Sequence, residues 1–156
     1  MNNQFDSFLN FLKALQKFEV KYILVGGFAT ILHGMGRLTQ DVDIFIEIVP
    51  ENVEKLRNAL HSLYSDSSIN EITINELEDY PVIRYGTPNS FYIDIMARFG
   101  ERFEFKDLKY DVIDYEGIKI NVASPETLIQ MKKNTTREKD NLDVMFLKEV
   151  ILRKGK

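Results

Sequence analysis

Asp41 and Asp43 stand two residues apart inside the apolar run "DVDIFIEIV", residues 41–49. On a strand, residues i and i+2 point the same way, with Cα atoms about 6.5 Å apart. The two carboxylates therefore project from one face, while Val42, Ile44 and Ile46 supply a core face. Asp94 has the same setting, alone inside the apolar "FYIDIM". An acid in such a strand is costly to bury unless it is paired or bound to a cation. Two carboxylates at 4 Å repel by about 4 kcal/mol at an effective dielectric of 20. Three that converge raise one another's pKa values. A divalent cation removes the conflict, and hard oxygen ligands suit Mg²⁺ or Mn²⁺.

A glycine pair lies upstream. The strand-like "YILV" at 22–25 stops at Gly26 and Gly27, and the helix-like "FATILHG" follows. A helix start leaves N–H groups exposed, and the missing side chains let a phosphate approach the backbone. An anion cradle, two acids and then a third acid are the parts that metal-assisted phosphoryl chemistry requires. Taken alone, Asp-x-Asp reads more simply as a strand-end turn. The glycine pair and Asp94 favour the site.

The elements that must position these residues follow from periodicity. Phe5, Phe8, Leu9, Leu12, Leu15 and Phe18 recur at helical spacing, which predicts an amphipathic first helix. Strands are expected at 22–25 and 41–49, and Pro50 opens a helix whose apolar stripe is Val53, Leu56, Leu60 and Leu63. "EITINEL" is expected as a strand. "PVIRYG" and "SFYIDIMA" flank the turn-forming "TPN" and predict a hairpin. "YDVIDY" and "IKINV" predict a second hairpin around Glu116-Gly117. Ser124 and Pro125 open the next helix, and Thr135 with Glu138 forms a capping box for the last one. The fold class is α/β (α+β): one domain over residues 1–156, with helices packed on a mixed, mostly antiparallel sheet.

Composition excludes several functions. The 156 residues contain no cysteine, so thiol nucleophiles, disulfides and thiolate metal sites are ruled out. The net charge of −4 gives no general attraction to nucleic acid or to anionic membranes. No apolar run approaches the roughly 20 residues of a membrane span. The N-terminus lacks the basic and apolar regions of a signal peptide, so the cytoplasm is the expected compartment. There is no Gly-x-x-x-x-Gly-Lys, no complete dinucleotide fingerprint and no Gly-x-Ser-x-Gly. His33 and His61 stand apart and read as packed or surface histidines.

At Gly26-Gly27, Asp41-Val42-Asp43 and Asp94 the sequence resembles the nucleotidyltransferase superfamily with the polymerase β-like fold. "VGGFATILHGMGRLTQDVDIFIE" is similar to the branch that includes the toxin component of type E abortive-infection systems. The distal "MKKNTTREKDNLD", with Lys132, Arg137, Lys139, Asp140 and Asp143, is similar to that branch as well. The resemblance implies that Asp41, Asp43 and Asp94 hold two Mg²⁺ ions and that Gly26 and Gly27 bind the β/γ-phosphates of an NTP. Asp94 would also help to deprotonate an acceptor hydroxyl, which attacks the α-phosphate as pyrophosphate leaves. It further implies a cognate antitoxin as a partner, and it leaves the acceptor open among RNA (tRNA included), protein and a small molecule. Gly27 departs from the serine of many active members and offers only its N–H. No extra acceptor-holding domain of the kind larger relatives carry is expected.

Other residues have two readings each. Arg37 and Thr39 either contact phosphate and orient Asp41, or belong to a surface loop that Thr39 caps. Lys132 is the choice for a triphosphate contact, although a cation at a helix C-terminus has a structural reason of its own. Arg137 and Lys139 either serve likewise or lie on a solvated helix face. Two functions compete: an NTP-dependent nucleotidyltransferase, and a nucleotide-binding regulatory or toxin–antitoxin module of the same fold without turnover.

Overall fold

The computed structural model describes residues 4–36, 39–99, 103–132 and 138–154. The elements run α1 (Gln4–Lys17), β1 (Tyr22–Val25), α2 (Gly26–Leu32), β2 (Asp41–Ile46), α3 (Pro50–Leu63) and α4 (Ile74–Asp79). They continue with β3 (Ile83–Gly86), β4 (Tyr92–Met96), β5 (Arg98–Phe99) and β6 (Phe103–Glu104). The chain closes with β7 (Tyr110–Tyr115), β8 (Ile118–Ala123), α5 (Pro125–Lys132) and α6 (Glu138–Lys154). Among the described residues, a six-stranded sheet has the order β3-β4-β2-β1-β8-β7, and β5 pairs with β6 separately. Three of the five pairings in the large sheet are antiparallel, while β2–β4 and β1–β8 are parallel. The expected mixed, mostly antiparallel sheet with helices packed on it is therefore present.

Burial explains why these segments take these forms. Helix α1 turns Phe8, Phe11, Leu12 and Leu15 into the core. The ring of Phe8 meets those of Phe28 and Phe91 edge-on, with centroids 4.9 Å apart in each case. Strand β1 is buried along its whole length, as a central strand should be. The β7–β8 hairpin turns at Glu116 and Gly117, both at positive φ (52° and 87°), which is the two-residue turn that matches strand twist. Among the described residues, no helix is long and apolar enough to cross a membrane.

One expected strand is absent. Residues 67–71 of the segment around "EITINEL" form a 3₁₀ turn, and Ile74–Asp79 is helical. The Thr73 hydroxyl accepts from the Glu76 N–H at 3.3 Å and caps α4. Ile69, Ile72 and Leu77 are all buried. Ile72 and Ile74 alternate as in a strand, but the Thr-x-x-Glu cap decides the outcome. The Ser124 cap of α5 is present, with the Thr127 N–H 3.2 Å from the Ser124 hydroxyl. The expected capping box at Thr135 lies outside the described residues.

Candidate active site

Strand register brings the three acids together. Parallel β2 and β4 place Asp43 directly beside Asp94 and Asp41 beside Tyr92. Partners in register share a face, as do residues two apart on one strand. Asp41, Asp43 and Asp94 thus occupy one face of two adjacent strands. On the other side of β2, Val25 pairs with Asp43, so the Gly26 turn lies against the same carboxylate.

Burial grades the trio. The Asp41 side chain is 35% exposed, at the mouth, whereas that of Asp94 is 14% exposed. Asp43 is half-buried, and its Oδ1 is fully buried without a hydrogen-bond partner. Its pKa is pushed up from 3.8 to about 7, chiefly by burial. The charge of Asp94, a hydrogen bond with it and the charge of Asp41 raise it further, while Lys132 opposes the shift. A buried carboxyl with an unanswered oxygen and two acidic neighbours is a group that a cation would satisfy.

Gly26 is required by this packing. Its φ is +73°, and a Cβ there would fall on the Asp43 carboxylate, with Asp43 Cγ only 2.8 Å away. No side chain caps the start of α2, and helix starts leave N–H groups without intrahelical partners. Gly26→Ala is expected to cost about 1–3 kcal/mol through the positive φ, lowering Tm by roughly 3–10 °C. It should also displace the Asp43 carboxylate. An unchanged melt would refute this role for the glycine.

A residue that sequence reasoning passed over completes the cluster. Arg84 on β3 pairs in register with Asp94. Its Nε donates to Asp94 Oδ1 at 3.0 Å, and its Nη2 donates to Asp41 Oδ2 at 3.0 Å and Asp94 Oδ2 at 3.3 Å. The guanidinium lies over the Tyr92 ring, 4.4 Å from its centroid. Among the described residues, no three His, Asp or Glu side chains form a finished cation cage. The bridge from Arg84 to Asp41 and Asp94 gives a reason: the guanidinium holds oxygens that such a cage would use. The predicted hairpin sets β3 beside β4, but with "TPN" as the turn Arg84 would face Tyr92; the observed register pairs Gly86 with Tyr92 and so brings Arg84 opposite Asp94.

The remaining candidates divide. The Thr39 hydroxyl sits 3.3 Å from the Asp41 N–H and 3.4 Å from the Asp41 carbonyl, so it fixes the backbone that carries Asp41. Gly27 is half-buried at the start of α2. Lys132, at the end of α5, pairs with Asp143 of α6 at 3.0 Å, and the two side chains are 10% and 0% exposed. Its charge still reaches Asp43. Arg37 and Arg137 lie outside the described residues, as do the side chains of Lys139 and Asp140. His33 contacts the Ala123 carbonyl through Nε2 at 2.9 Å and His61 contacts Asn70, which fits the packed and surface roles expected of them.

A strand followed by a short helix that opens on two glycines, an Asp-x-Asp strand and a third Asp on its parallel neighbour define a nucleotidyltransferase fold. The chain belongs to the AbiEii family, described as "Nucleotidyl transferase AbiEii toxin, Type IV TA system", whose model matches residues 10–142. Solved structures agree on the fold. The lincosamide antibiotic adenylyltransferase LnuA, solved with lincomycin bound, superposes with a TM-score of 0.56 at 18% identity, over 96% of this chain and 98% of that one. An antigenic nucleotidyltransferase-like protein from Paracoccidioides brasiliensis gives 0.56 at 18% identity, over 90% and 71%. The Thermotoga maritima protein TM1012, provisionally assigned as a nucleotidyltransferase, gives 0.57 at 16% identity, over 93% and 92%. No curated protein sequence matches the chain significantly.

Proposed function

We propose that this chain transfers an NMP from an NTP to a hydroxyl-bearing acceptor, with divalent cations held by Asp41, Asp43 and Asp94. The observation that carries this reading is the in-register pair Asp43–Asp94, with an unpartnered buried oxygen on Asp43 beside the Gly26 turn. When bound, Mg²⁺ or Mn²⁺ would offset the charge of the phosphates and acidify the acceptor hydroxyl. The chain's own groups do the rest. The N–H groups of Gly26 and Gly27 receive the β/γ-phosphates, and Thr39 holds Asp41 in place. Lys132 favours the ionised form of Asp43, and Arg37 and Arg137 are further candidates for phosphate contact. Asp94 accepts the proton as the acceptor oxygen bonds to the α-phosphorus; the α–β bridging bond breaks and pyrophosphate leaves.

Membership of a toxin–antitoxin family supports a cognate antitoxin as partner. A reaction that consumes NTP fits the cytoplasm. The acceptor classes to assay are RNA, protein and small hydroxylated molecules. The test is label transfer from each NTP, carrying ³²P at the α or the γ position, into cellular RNA, protein and metabolites, with Mg²⁺ or EDTA. Label from the α position, and not the γ, should appear on an acceptor only with Mg²⁺. Intact NTP binding without transfer to any class would support the alternative, a nucleotide-binding module without turnover. Gly27, which lacks the serine hydroxyl, is the observation that favours that alternative.

A further inference from the structure

We propose that Arg84 is an internal counter-cation that latches Asp41 to Asp94 and must withdraw before a divalent cation can take their oxygens. The inference rests on the reading that these acids hold dications. Three donor contacts from one guanidinium engage both oxygens of Asp94 and one of Asp41. A hard dication would bind those same oxygens at about 2.0–2.6 Å, and two cations cannot share them without strong repulsion.

Isolated exposed ion pairs contribute little. This one differs because it is a fork across two carboxylates, one of them largely buried. The acids carry three like charges when all are ionised, and Arg84 is positioned by register to balance them.

The latch is also built to open. Arg84 lies on β3, an edge strand, and its side chain is 52% exposed. Tyr92 supports it from below, and Tyr92 is itself in register with both Asp41 and Gly86. A guanidinium displaced from the acids stays near the site and is free to meet the incoming triphosphate. Exchange is then balanced: the acids trade Arg84 for dications, and Arg84 trades the acids for phosphate.

Mn²⁺ titration followed by electron paramagnetic resonance tests this on four proteins: wild type, Arg84→Gln, Arg84→Lys and Asp43→Asn. Arg84→Gln should bind Mn²⁺ roughly tenfold more tightly, because the competitor is gone. Arg84→Lys keeps the charge but loses the fork, and should tighten binding by a few-fold. In EDTA, Arg84→Gln should melt below wild type, and Mn²⁺ should raise its Tm by more than it raises that of wild type. Equal or weaker Mn²⁺ affinity in both Arg84 variants, with loss of binding in Asp43→Asn, overturns the latch and leaves the dication site intact. Wild-type Mn²⁺ binding in Asp43→Asn overturns the site, and the latch with it. If Arg84→Gln does not fold, the lysine variant decides alone.

Discussion

Asp43→Asn will abolish NMP transfer and, with no dication present, make the protein more stable at neutral pH. Both effects come from one burial. The Oδ1 of Asp43 is buried and has no hydrogen-bond partner. Asparagine keeps the shape and removes the charge, so the affinity for Mn²⁺ should collapse and transfer should fall by at least about 10³-fold. The stability gain follows from linkage. The Asp43 pKa rises from 3.8 to about 7 on folding, so between those values the folded protein binds more protons than the unfolded chain. Stability from this group is complete below pH 4 and is lost as pH climbs through 7. Melts of wild type in EDTA should therefore decline over pH 4–7, by on the order of 2–4 kcal/mol, relative to Asp43→Asn. Parallel pH profiles for the two proteins would contradict this. A buried acid that costs stability is what a functional site shows.

The second large effect lies behind the site. Asp143→Ala removes the carboxylate 3.0 Å from Lys132 in a pair that is almost fully buried. Breaking such a pair from one side costs about 3–5 kcal/mol, because the buried ammonium loses a carboxylate 3.0 Å away. A domain with about 5–15 kcal/mol in total will show this as a large drop in denaturant midpoint. Replacing both partners, Lys132→Met with Asp143→Leu, should recover most of the loss. Transfer should stay depressed in that double variant, because the charge that favours ionised Asp43 is gone. A single-variant cost below about 1 kcal/mol would show the pair to be incidental.

Much of this was legible in the sequence because the chemistry-bearing residues interrupt regular patterns. Asp41 and Asp43 break an apolar strand at period two, so their shared face follows from local geometry alone. The Glu116-Gly117 hairpin and the Pro50 helix start are likewise written locally. What local pattern does not encode is the neighbour of a strand. That β2 lies parallel to β4, with Asp43 against Asp94, depends on the whole sheet order. Family resemblance supplied that expectation; periodicity did not. Arg84 was missed for a related reason. Only the observed β3–β4 register sets it opposite Asp94. Lys132 was singled out as a phosphate contact, and its structural partner emerged only when α5 and α6 packed together. The misread strand at "EITINEL" shows the opposite failure, a local cap overlooked in favour of apolar alternation.

The most direct test of the central claim is a crystal grown with Mn²⁺ and a non-hydrolysable NTP analogue, with data collected at a wavelength where manganese scatters anomalously. The account predicts anomalous peaks within bonding distance of Asp41, Asp43 and Asp94, the triphosphate against Gly26 and Gly27, and Arg84 drawn away from the acids. Manganese found elsewhere, with the three carboxylates still held only by Arg84 and by one another, would contradict it.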